Sequence, residues 1–89
     1  MNIEEAYEHY AFLHKRGKDS ESVGAALNLE ATIREFVKPR LHVEGATAMM
    51  ALGNEIYANT DRPSVVLGLR PAVIALRESM LFLEKGGSK

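Results

Sequence analysis

Apolar residues recur at steps of three and four along most of this chain, and no two stretches alternate with the period of two that paired strands need. That periodicity points to α-helices packed side by side. With 89 residues there is room for one domain, and a domain of that size buries only roughly 60–65% of the surface its unfolded chain exposes. The chain has no cysteine, so disulfides, Cys-ligated zinc, iron–sulfur clusters and thiol nucleophiles are all excluded. Helix packing, within one chain or between chains, is what remains to stabilise it.

The first helix is expected to start at Ile3. Asn2 stands as its cap and Glu5 at the third helical position, the spacing of a capping box. Ile3, Tyr7, Tyr10 and His14, flanked by Ala6 and Leu13, share one face. Acidic Glu4, Glu5 and Glu8 near the start and basic Lys15 and Arg16 near the end both favour the helix dipole, and Gly17 supplies a left-handed stop. Asp19 or Ser20 is expected to cap a second helix running to about Lys38, where Pro39 ends or kinks it. Its inward stripe is Ser22, Ala26, Leu29, Ile33 and Phe36 or Val37, with Glu30 and Arg34 paired on the outside.

A third helix is expected over about residues 40–58. It would carry two internal glycines, Gly45 and Gly53, each costing about 1 kcal/mol relative to alanine. Close approach of another helix would offset that cost. Asn59, Thr60, Asp61 and Arg62 then form a turn before Pro63. Pro71 is expected to open a last helix reaching Lys85, with residues 64–70 either a short helix of their own or its kinked first half. The expected fold is all-α: a small four-helix bundle over residues 1–85, its last helix broken near Pro71, followed by a flexible tail at 86–89.

The last helix carries more apolar surface than such a bundle can cover. At about 100° per residue, Val73 and Met80 define one direction, Leu76 and Leu83 a second, and Ile74 and Leu81 a third. Phe82 points nearly opposite Val73. On the first helix, Phe12 lies about 180° from Ile3, among charged neighbours. Contiguous apolar rows of this kind mark an association surface. The expected interface residues are therefore Phe12, Ile74, Leu81 and Phe82, with Gly45 and Gly53 permitting close helix contact, and the simplest assembly is a symmetric homodimer.

Catalytic and cofactor chemistry find little support. Glu5 and His9 have the i,i+4 spacing of a metal pair, but His14 and His42 lack ligand-type partners at three or four residues, so neither metal nor cofactor is expected. The serines lie outside any G-x-S-x-G elbow, and the lysine after Gly17 lacks the glycines and the strand of a phosphate loop. No enzymatic activity is expected. Eleven basic against twelve acidic residues give a formal charge of −1, which argues against nucleic acid as partner. A weaker anion site is the alternative, formed between helices or between subunits from Lys15, Arg16, Lys18, Arg70 or Arg77, with Tyr7 or Tyr10 stacking on a nucleotide.

These features favour a non-enzymatic helical protein that self-associates and docks onto another macromolecule as an adaptor or small inhibitor. Such a chain suits a phage or mobile-element accessory protein. The alternative is a module for a small anionic ligand such as a nucleotide. No apolar run reaches the length of a membrane span, and the first residues lack the pattern of a secretion signal, so a cytoplasmic location is the default expectation.

Overall fold

The computed structural model describes residues 1–86. Along the chain it has α1 (Ile3–Lys15), α2 (Asp19–Val37), a 3-10 turn (Lys38–Arg40), α3 (Ala46–Ala58), α4 (Pro63–Gly68) and α5 (Arg70–Glu84), with no strand among the described residues. The fold is all-α. Five helices replace the expected four because residues 63–68 form a helix of their own. The break follows from Pro71, which has no amide hydrogen to donate to the carbonyl four residues back and whose ring crowds that carbonyl. Helix α4 and α5 together occupy the fourth position of the bundle.

Short connections make consecutive helices antiparallel. Residues 16–18 and 59–62 therefore turn at one end, called here the Gly17 end. The connection over residues 38–45 and the last turn of α5 meet at the other, the Gly45 end, and the start of α1 points toward it, lying beside Asn28 of α2 and Arg77 of α5. Long-range contacts agree: Arg77 of α5 pairs with Glu4, whereas Tyr7, one turn further along α1, reaches back to Val66 in α4.

The first helix forms as its sequence reads. The Asn2 side chain accepts the Glu5 amide at 2.8 Å, and the Glu5 carboxylate accepts the Asn2 amide at 3.0 Å. Gly17 stops the helix at φ +73. Ile3, Ala6, Tyr7, Tyr10 and Leu13 are buried, whereas His14, expected on the same face, is exposed. Helix α2 starts one residue earlier than a cap at Asp19 or Ser20 would allow. Lys18 takes the cap position without a side-chain bond, and Asp19 lies in the first turn, where its charge suits the dipole.

The third helix departs most from expectation. It begins at Ala46, because Gly45 adopts φ +103, which a helix interior cannot contain. Residues 38–45 instead cross from α2 to α3 through the 3-10 turn. The Arg40 guanidinium donates to the Phe36 carbonyl at 2.8 Å, satisfying one of the last acceptors of α2, and stacks 4.2 Å from the Phe36 ring centroid. Val43 is buried and anchors the crossing.

Gly53 does sit inside α3, and its missing side chain lets the helix approach Ile33 of α2. The same approach explains why the Glu30–Arg34 pair is not outward. It forms, but Glu30 lies beside Met50, Gly53 and Asn54 and is buried, with only Arg34 exposed. A β-carbon at Gly53 would stand 3.4 Å from Ile33 Cγ2, an ordinary contact. Gly53→Ala is therefore expected to leave stability unchanged or raise it by up to about 1 kcal/mol through helix propensity. Gly53→Leu, with nowhere to place its branches, should lose about 1–3 kcal/mol. Urea unfolding of the two variants checks both signs.

Helix α5 grades from core to solvent around its circumference. Val73 and Met80 are fully buried. Ile74, Leu76, Leu81 and Leu83 are half-buried, and Phe82 is 60% exposed. At its end Gly86 takes φ +80 and its amide donates to the Leu83 carbonyl at 3.0 Å, so Gly86 closes the helix. The remaining expected tail residues, 87–89, lie outside the described residues. No described helix is long and apolar enough to cross a membrane.

Candidate interaction surface

The two core tyrosines differ in what their hydroxyls find. Tyr7 O–H donates to the Val66 carbonyl at 2.8 Å. Val66 is among the last residues of α4, whose carbonyls have no further helical turn to bond, so Tyr7 ties α1 to the α4–α5 break. The Tyr10 hydroxyl is buried without a hydrogen-bond partner among the described residues. Tyr7→Phe should therefore cost about 1–3 kcal/mol, leaving the Val66 carbonyl without this donor, whereas Tyr10→Phe should be neutral or stabilising. Chemical denaturation of the pair measures the contrast.

Both phenols ionise above their ordinary range. Burial is the main cause for each. The Arg70 guanidinium partly opposes it at Tyr7, and the nearby charges of Asp19 and Asp61 add to it at Tyr10. The raised groups favour the folded state fully below the unfolded phenol pKa of about 10. That contribution is lost as the pH climbs toward the folded values. The denaturation midpoint is thus expected to fall above about pH 10, and less steeply in Tyr7→Phe.

Full burial of Tyr7 and Tyr10 removes the stacking faces that a nucleotide site would use. The cations expected beside them are also dispersed. Lys15, Arg16 and Lys18 are exposed around the Gly17 end, with Arg16 stacked 4.4 Å from the ring centroid of Phe12. The Arg70 guanidinium sits 5.6 Å from the Tyr7 ring centroid. Arg77 is committed to Glu4 at 2.6 Å and lines an open groove of about 410 Å³ between α1 and α2 at the Gly45 end. The chain thus brings none of its five candidate cations to a common point with an exposed aromatic face from either tyrosine.

The expected interface residues separate in the same way. Gly53 is buried against Ile33 of its own chain, and Gly45 is half-buried beneath Leu76 and Met80. Ile74 is half-buried against the core. Phe12 is 51% exposed, with Arg16 stacked on its ring. Leu81 is half-buried beside Phe82.

What the sequence reading missed lies at the Gly45 end. Leu41, at 63%, and Met50, at 44%, are exposed and line an apolar dimple of about 220 Å³ together with Val37, Arg34, Glu35 and Lys38. Leu41 neighbours Arg40, whose side chain bonds Glu84 of α5 at 2.8 Å. Glu84 stands two residues from Phe82. The dimple and the Phe82 ring therefore belong to the same end of the bundle. A helix over residues 40–58 would have hidden this surface, since Leu41 would then have fallen inside a regular helix. The visible signal was Pro39 followed by Gly45, which leaves too few residues between them for a stable helix.

Comparison with protein-family models, with curated proteins and with solved structures finds no match.

Proposed function

We propose that this chain is a non-enzymatic helical interaction module that self-associates through the Gly45 end and docks onto macromolecular partners by its exposed apolar side chains. The observation that carries the reading is the grouping of Leu41, Met50 and Phe82 at one end of the bundle. Single exposed apolar residues need no explanation, but two large ones lining a concavity, with a third at the same end of the bundle, are what an association surface presents. The candidate anion-binding cations favour this reading indirectly, because each lies exposed at the Gly17 end or is engaged within the chain.

Association stabilises the folded state by mass action, so the thermal midpoint should rise with protein concentration. Scanning calorimetry from the micromolar to the millimolar range tests this. A midpoint that does not move across that range rejects self-association.

A further inference from the structure

We infer that a cavity at the Gly17 end binds an alkylammonium group, held between the carboxylates of Asp19 and Asp61 and the hydroxyl of Tyr10. The cavity, of about 190 Å³, is lined by Asp19, Ser22 and Val23 of α2 and by Thr60, Asp61 and Pro63 where α3 turns into α4. Neither aspartate takes part in an ion pair among the described residues, whereas Glu4, Glu30 and Glu84 are all engaged. Their chain neighbours Lys18 and Arg62 are exposed and do not line the cavity. The Ser22 hydroxyl gives its hydrogen to the Asp19 carbonyl at 2.9 Å, so it too offers only lone pairs to an occupant.

Two acidic residues alone define no site, and Tyr10 supplies the independent observation. Its side chain is fully buried, and its hydroxyl is left without a hydrogen-bond partner among the described residues, which folded chains seldom leave standing. That hydroxyl faces Asp19 and Asp61, whose negative charges both act on it. The register agrees: Tyr7 reaches Val66 in α4, and Tyr10, one turn nearer the Gly17 end, meets Asp61 ahead of that helix. A primary ammonium has three hydrogens, one for each carboxylate and one for the phenol oxygen, and carries the charge that the aspartates lack. Val23 and Pro63 wall the space for the methylenes behind it. A divalent ion fits less well. It takes roughly six or more oxygen ligands, and the described residues hold no group of three or more His, Cys, Asp or Glu that could bind one.

NMR titration of the full chain with putrescine tests the site, whatever the state of association at the Gly45 end. N-acetyl-lysine methylamide forms a second arm. The Tyr10 ring and Val23 methyl signals should shift and saturate at millimolar amine, and n-butanol should move neither. Tyr10→Phe should weaken binding roughly threefold to tenfold, and Asp61→Asn at least about tenfold, as expected for hydrogen bonds to a charged group. Tyr10→Phe keeps the stability of the fold, so its weaker binding would not reflect unfolding, and circular dichroism verifies that both variants remain helical. Tighter binding of putrescine assigns the site to a free amine, and tighter binding of the lysine derivative to the side chain of a partner. Amine binding unaffected by either substitution, butanol binding as tightly as the amine, or calcium chloride displacing putrescine at a lower concentration than putrescine itself needs overturns the inference. So does a Tyr10 ring signal that stays fixed.

Discussion

Gly45→Val is expected to destabilise the fold by about 2–4 kcal/mol. Two causes add. The residue holds φ +103 as the cap of α3, a conformation that a β-branched side chain adopts only under strain. Its β-carbon would also meet Leu76 Cδ1 at 3.1 Å and Met80 Cγ at 3.2 Å. Those atoms belong to flexible side chains and can give way, so the backbone contributes most and Gly45→Ala should lose about 1–2 kcal/mol. Domains of this size hold roughly 4–13 kcal/mol in total, so the valine variant is expected to unfold at markedly lower urea concentration. The opposite sign expected for Gly53→Ala makes the comparison sharp. Both glycines belong to a small-residue segment, but only Gly45 has a backbone that requires glycine.

The second large effect separates the two sides of α5. Met80→Ala should cost about 2–5 kcal/mol, the range for emptying a buried methionine site. Met80 is fully buried, and its Cγ and sulfur cover Gly45 at the start of α3. Phe82→Ala, two residues away, should change the stability of the monomer by less than about 0.5 kcal/mol, because the ring is 60% exposed. Urea titrations at low protein concentration, where association does not contribute, read both values. A large loss in Phe82→Ala would mean that the ring is held within its own chain, and the association surface would have to be sought elsewhere.

Much of the architecture was legible because local rules agree with tertiary packing in α1 and in most of α2. The capping box, the charge placement and Gly17 mark α1 at both ends, and the three–four spacing of its apolar residues selects the buried face. The α5 wheel likewise put Val73 and Met80 in one direction and Phe82 nearly opposite, and the structure turns the first pair inward and Phe82 outward. Residues 38–45 were not legible in this way. Pro39 and Gly45 bracket them, but the propensities between allow helix, and the positive φ that Gly45 takes under Leu76 and Met80 is a tertiary demand. The burial of Glu30 has the same origin, since it depends on how closely α3 approaches at Gly53. The proposed association surface followed that error: Leu41 and Met50 line one concavity because the chain crosses between helices through residues 38–45. Of the residues expected at an interface, Phe82 is exposed at the Gly45 end, whereas Gly45 and Gly53 are used within the chain.

The central claim is that the Gly45 end, and not the Gly17 end, is where copies of this chain meet. Proton NMR spectra recorded over a dilution series test it most directly, because each end carries its own exposed markers, with Tyr57, 61% exposed in the last turn of α3, joining Phe12 at the Gly17 end. The account predicts that the Phe82 ring and the Leu41 and Met50 methyl signals shift together on concentrating the protein, while those of Phe12 and Tyr57 stay fixed. Signals that move at Phe12 and Tyr57 instead, or at neither end, would contradict it.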